Sequence, residues 1–257
     1  MAVSAFLTDA TLCIGCKACE VACKEWNQIP ADGYTFTGNS YDNTERLGAS
    51  TWRHVMFLEQ PVALGSQTTG TEDPFRWLFL SDVCKHCENA GCLEACPTGA
   101  IVRTEFESVY VQPDVCNGCG YCVVSCPFGV IDKSPQEGMA FKCTFCYDRQ
   151  RAGLMPACAK ACPTQSIQFG HLDELRERGR VRVEQLRDRG YSDAQVYDPQ
   201  QTSVGGIHAM FVIVGEPEAY NFPPAPEVPT HHLKSAWSAA AISALALLSI
   251  VCVAFVS

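Results

Sequence analysis

The sequence predicts an α+β chain built as two interleaved modules around close-set cysteines, with a loop-rich insert and a single C-terminal transmembrane helix. Three observations predict it. Cysteines recur in four tight groups between Cys13 and Cys162, short β-branched and aromatic runs bounded by Gly and Pro lie among them, and an uncharged apolar run closes the chain. The expected boundaries are a cysteine-organised body at 1–220, a proline-rich linker at 221–234 and the apolar helix at 235–257.

Composition narrows the class. The 257 residues, 47% of them hydrophobic, suffice for a real core. A net charge of -9 argues against nucleic acid as a partner, because a phosphate backbone is met by clustered Lys and Arg. Seventeen cysteines would make a disulfide scaffold in a short secreted chain, but this chain is longer and its cysteines are clustered. Met1 to Asp9 lacks a basic stretch followed by an apolar run, so no secretory signal is expected there.

The groups are Cys13, Cys16, Cys19 and Cys23; Cys84, Cys87, Cys92 and Cys96; Cys116, Cys119, Cys122 and Cys126; and Cys143, Cys146, Cys158 and Cys162. Between the first two lies an aromatic insert with Trp26, Tyr34, Phe36, Tyr41, Trp52, Phe57, Phe75, Trp77 and Phe79. Within it Arg53 to Gln60 and Arg76 to Leu80 predict a hairpin, bounded by Pro61, Gly65, Gly70 and Pro74. Ser108 to Gln112 and Gly206 to Val214 predict further strands. His171 to Gly190 reads as an amphipathic helix whose six Arg and five acids nearly cancel, with Gly190 placed to stop it. Phe222 to Thr230 holds four prolines and cannot be helical throughout. Ala236 to Val256 carries no charge, and its 21 residues at about 1.5 Å rise would reach roughly 30 Å, with Lys234 and Trp237 as interfacial anchors. Cys252, inside that run, reads as a small hydrophobe.

Groups one and three have the spacing C-x2-C-x2-C-x3-C, and Pro127 follows the latter, which is the bacterial ferredoxin run. Three thiolates from one tight loop cap three corners of a [4Fe-4S] cubane, and the fourth comes from a distant segment. Gly15, Ala18, Gly118 and Gly120 let backbone N–H groups approach the sulfurs. Groups two and four lengthen an interval yet still close on Cys96-Pro97 and Cys162-Pro163; group one has Lys24 in place of the proline. Zinc needs only two cysteine pairs and no third cysteine two residues on, and disulfides within C-x2-C loops would be strained. Soft thiolate ligation of four [4Fe-4S] clusters in two ferredoxin-like modules is the expectation. The fourth cysteine of each run serves another cluster, but spacing alone leaves open which groups pair. Lys17, Lys24, Lys85 and Lys142 flank these cysteines, either against the sulfurs or in water, and His86 either donates to a sulfur or shields it. No catalytic triad, carboxylate pair or phosphate loop is present, so no catalytic centre is expected.

The run LCIGCKACEVACKEWN from Leu12 to Asn27, CNGCGYC from Cys116 to Cys122, KCTFCYDR from Lys142 to Arg149 and Pro156 to Cys158 resemble the iron-sulfur beta subunits of respiratory, membrane-bound formate dehydrogenases. The likeness continues at Arg189 to Tyr191, Val196 to Pro199 and Val204 to His208 and covers nearly the whole chain. It implies that Cys13, Cys16 and Cys19 take Cys162, and that Cys143, Cys146 and Cys158 take Cys23. It likewise implies that Cys84, Cys87 and Cys92 take Cys126, and that Cys116, Cys119 and Cys122 take Cys96. Since Cys119 stands where some relatives have Trp, four cubanes are implied. The implied role is an electron relay between a large molybdenum- or tungsten-pterin subunit, facing the one-four half, and a membrane cytochrome b or quinone-reactive subunit, facing the two-three half. It also implies a body on the extracytoplasmic face, exported with a partner that bears a twin-arginine signal, and anchored in the lipid bilayer by its own helix. The alternatives are the same relay in a polysulfide or thiosulfate reductase or a hydrogenase, and a zinc-stabilised scaffold.

Overall fold

The chain, seen here in a computed structural model, is described at residues 3–31, 38, 42, 44–61 and 75–256. Its central sheet consists of β1 (Ser4–Asp9), β8 (Ile167–His171), β9 (Ala194–Tyr197) and β10 (Ala209–Val214). Three hairpins lie outside it: β2 (Arg53–Pro61) with β3 (Phe75–Val83), β4 (Ile101–Arg103) with β5 (Val109–Val111), and β6 (Asp132–Lys133) with β7 (Ala140–Phe141). The helices are α1 (Ala18–Asn27), α2 (Gly91–Glu94), α3 (Tyr121–Val124), α4 (Tyr147–Arg151), α5 (Ala157–Ala161), α6 (Leu172–Asp188) and α7 (Leu233–Val256).

The sheet runs β8-β1-β10-β9, with β1 parallel to β10 and both outer pairs antiparallel. β10 is apolar throughout and buried at all six positions, as a strand covered on both faces must be. α6 packs on one face through Leu172, Leu175, Gly179, Val183 and Leu186, which recur at helical spacing. Gly179 permits that closeness: a Cβ there would meet Val196 Cγ2 at 3.2 Å and Leu7 Cδ1 at 3.3 Å. Side chains alternate along a strand, so Phe6 takes the other face, where its ring meets Phe145 edge-on at 4.5 Å.

Strand pairing decides which cysteine groups meet. β1 and β8 place Thr8 opposite Ile167; the Asp9 N–H donates to the Ser166 carbonyl at 2.8 Å and Ser166 Oγ donates to the Asp9 carbonyl at 2.7 Å. The loop leaving β1 carries group one and the segment entering β8 carries group four, so the two are held side by side. Group two leaves β3 and is sewn to the start of β10, where the His208 and Ala209 N–H groups donate to the Lys85 carbonyl at 2.9 and 3.1 Å. The β4-β5 hairpin folds the chain between Cys96 and Cys116, which brings group three back to group two.

The expected hairpin at 53–60 and 76–80 is present as β2 and β3, and the expected helix as α6. Tyr34, Phe36 and Tyr41 of the insert, and the turn residues Gly65, Gly70 and Pro74, lie outside the described residues. The transmembrane helix expected at 235–257 is corrected. That segment is helical as α7, but among the described residues no helix is long and apolar enough to cross a membrane. Its described side chains, residues 233–249 and 252, include Lys234 in the first turn and four serines, which shortens the apolar run among them. Ser235, Ser238, Ser243 and Ser249 each donate back to a carbonyl about one turn earlier. The single-pass anchor falls with it.

Replacing Gly179 by Leu tests the helix-sheet contact. Helix propensity would gain about 1 kcal/mol, while overpacking costs about 1–3 kcal/mol, so the melting temperature of the loaded protein is expected to fall. An unchanged or higher value in differential scanning calorimetry would show that α6 is free to move outward.

Candidate functional site

One backbone device repeats in all four groups. The residue before the second cysteine is left-handed: Gly15 at φ 68°, His86 at 46°, Gly118 at 70° and Phe145 at 60°. This bend turns the loop over its own thiols, and in group four the Phe145 N–H points at Cys143 Sγ at 3.3 Å. Glycine adopts the conformation freely and here has a second reason to be small, since a Cβ on Gly118 would run into the Gly138 carbonyl. His86 and Phe145 bear the strain because both are fully buried, with their rings packed at 4.4 Å.

The inner groups enclose two cavities. One is lined by Cys84, Cys87, Cys92 and Cys126 with Val109, Val130 and Ile131 around them. The other is lined by Cys96, Cys116, Cys119 and Cys122 with Ala100, Val111 and Ala140. Each therefore takes three cysteines from one group and one from the other.

The outer groups show the same exchange through their electrostatics. Burial, with the negative charges of Cys162 and Cys16 adding to it, raises the Cys13 thiol. Burial raises Cys23 well above the usual thiol value, and the charges that add to this are those of Cys143, Cys158 and Cys146, all from group four. Consecutive sites also feel one another: Cys158 acts on Cys19, Cys84 on Cys143, and Cys122 on Cys92. Taken pairwise, these influences run from group one through group four to the inner groups. Of the sixteen grouped cysteines only Cys16 and Cys119 are exposed.

These groups coincide with known families. Residues 12–100 and 75–172 each match a 4Fe-4S dicluster domain. The chain is 41% identical over 226 residues to a formate dehydrogenase iron-sulfur subunit of Haemophilus influenzae, covering 86% of this chain and 69% of that one. It is 41% identical over 228 residues to the nitrate-inducible formate dehydrogenase iron-sulfur subunit of Escherichia coli, covering 87% and 74%. The chain belongs to the formate dehydrogenase iron-sulfur subunit family. A thiosulfate reductase electron transfer subunit of Salmonella typhi is 40% identical over 169 residues, covering 65% of this chain and 76% of that one.

Two dicluster domains give this iron-sulfur subunit four [4Fe-4S] clusters and an electron-transfer role without a catalytic site of its own. The donor set fits such a group. The thiols surround space, and among the described residues no three His, Cys, Asp or Glu side chains converge on a single ion. Burial raises Cys122 and Cys146 to about 11 and Cys19 and Cys92 to about 12, so a thiolate persists there only when iron takes the place of the proton. Cys96 differs: burial raises it, but hydrogen bonds from Thr98, Ile101 and Ala100 outweigh that and lower it. Two buried donors, Arg53 Nε and His86 Nε2, also lack any acceptor among the described residues. His86 Nδ1 accepts the Val109 N–H at 3.1 Å, which leaves the ring proton on Nε2. A bound cluster supplies one-electron chemistry; the protein's residues exclude water, hold the thiolates and place charge near them.

The sixteen grouped cysteines fall into the four sites, whereas Cys252 stands exposed and apart on α7. Of the flanking lysines, Lys85 and Lys142 are buried, the former paired with Asp82 and the latter donating to the Val109 and Cys143 carbonyls. Lys17 reaches Glu20 and Asp42 at 3.6 Å each, and Lys24 donates to the Pro30 and Ser50 carbonyls. Sequence reasoning missed Arg53 and Ser81, which sit among the outer cysteines. The available signal was an arginine at the head of a strand with an apolar run, Val55 to Leu58.

A Gly118→Val substitution combines a forbidden φ with a backbone collision. Iron is expected to fall from about 16 to about 12 atoms per chain, four per cubane, with the other three sites retained. Full iron content in the purified variant would show that the left-handed turn is dispensable.

Proposed function

We propose that this subunit carries electrons from a pterin-metal catalytic subunit that oxidises formate to a membrane haem or quinone partner. The carrying observation is that, of the sixteen grouped cysteines, only Cys16 and Cys119, one at each end of the proposed series of four sites, are exposed, the rest being buried or half-buried. An electron enters and leaves where a site is open to a partner and is shielded from water in between. The proposed ligand sets are Cys13, Cys16, Cys19 and Cys162; Cys23, Cys143, Cys146 and Cys158; Cys84, Cys87, Cys92 and Cys126; and Cys96, Cys116, Cys119 and Cys122. Apolar side chains surround both ends, Ile14 and Val21 near Cys16 and Val115, Tyr121 and Val124 near Cys119, as suits docked subunits. In this reading the body lies on the extracytoplasmic face and reaches the membrane through its membrane partner. The formate substrate is supported by the 41% identity to subunits of that name. A relay in a thiosulfate reductase is the second reading, carried by the 40% identity over a shorter span.

The native complex, isolated anaerobically with its large subunit, is expected to show bleaching of its visible absorption and cluster EPR signals when formate is added. Formate that leaves the spectrum unchanged, while thiosulfate reoxidises the dithionite-reduced complex, would replace the first reading with the second.

A further inference from the structure

Among the described residues Arg53 is the largest fully buried side chain, and a guanidinium without water or a counter-ion is costly. Its partners reveal its use. No carboxylate pairs with it among the described residues. Nη2 donates to Cys158 Sγ at 3.3 Å, and Nη1 donates to the Ser81 carbonyl at 3.1 Å and to Ser81 Oγ at 3.3 Å. Ser81 Oγ lies 3.1 Å from Cys19 Sγ, and the Phe6 ring lies 5.0 Å from the guanidinium on the sheet side. Arg53 enters from the start of β2 and Ser81 from the facing strand β3, so one hairpin delivers both.

We infer that Arg53 and Ser81 form an electrostatic bridge between the two outer clusters, raising both reduction potentials and linking the thiolates of Cys158 and Cys19 by hydrogen bonds. The inference rests on the proposed ligand sets, in which those cysteines serve different clusters. A reduced cluster carries one more negative charge than an oxidised one, so a fixed cation beside it favours reduction. Arginine suits the role because it stays protonated and its planar fork serves two acceptors at once. A single electron leaves one cluster as it arrives on the next. No bond forms or breaks, and Arg53 keeps its protons.

The test is an EPR-monitored redox titration of the intact complex with chemical mediators and dithionite, which does not depend on formate being the donor. Arg53→Gln, at full iron content, is expected to lower the potentials of the two outer clusters by at least a tenfold change in reduced fraction, about 59 mV for a one-electron couple, and to leave the two inner clusters in place. Arg53→Lys is expected to restore most of the shift, and Ser81→Ala to move chiefly the cluster held by Cys19. Unchanged outer potentials, or an equal shift at all four clusters, overturns the inference. If Arg53→Gln fails to load iron, the decision passes to Ser81→Ala: a shift at the Cys19 cluster supports the bridge and no shift overturns it.

Discussion

A thiol removed from water resists ionisation, and this fold places most of its cysteines where burial alone would keep them protonated. Iron ligation reverses that preference, but only if the surroundings accept the negative charge that results. The structure answers with four buried cations, Arg53, Lys85, Lys142 and Arg149, and with a left-handed bend repeated in every group. Each cation is neutralised or hydrogen-bonded. Lys85 pairs with Asp82 and lies 4.5 Å from the Phe222 ring centroid, whereas Lys142 spans the Val109 and Cys143 carbonyls. Protein and cofactor are therefore mutually dependent: the loops without iron would hold packed but unused thiols, and the iron without the cations would carry charge into a poor solvent for it.

The ligand chemistry was legible in the sequence because it is local. Three cysteines at fixed spacing and a left-handed residue between the first two are properties of a few consecutive positions, and the C-x2-C-x2-C pattern states them directly. The glycines of groups one and three announced the bend; His86 and Phe145 concealed it, because tertiary packing there holds large residues in a conformation they resist. The β2-β3 hairpin and α6 were legible for a similar reason, as each is long and periodic.

The rest depended on pairings across the chain. β1 and β8 are short, and nothing near Ser4 reports that its neighbours lie beyond residue 165. Arg53 was legible only as the first residue of a strand, since its meaning comes from Cys158 on a distant loop. The closing helix shows the opposite error: a run without charges counts as a membrane span, whereas among the described residues no helix is long and apolar enough to cross one.

The pairing of β1 with β8 also has a history in time. Asp9 and its partner Ser166 stand 157 positions apart. At about 5–20 residues per second, a nascent chain would wait roughly 8–30 s between making the first strand and making its antiparallel neighbour. Throughout that interval an apolar strand edge and the first cysteine group are exposed together, outside any finished structure. Groups two and three, close in sequence and joined by their own hairpin, meet sooner, although the seam of group two to β10 waits for His208 and Ala209. Connectivity therefore sets an order of encounter: the inner groups can meet before group four is made, and the outer groups meet only after it.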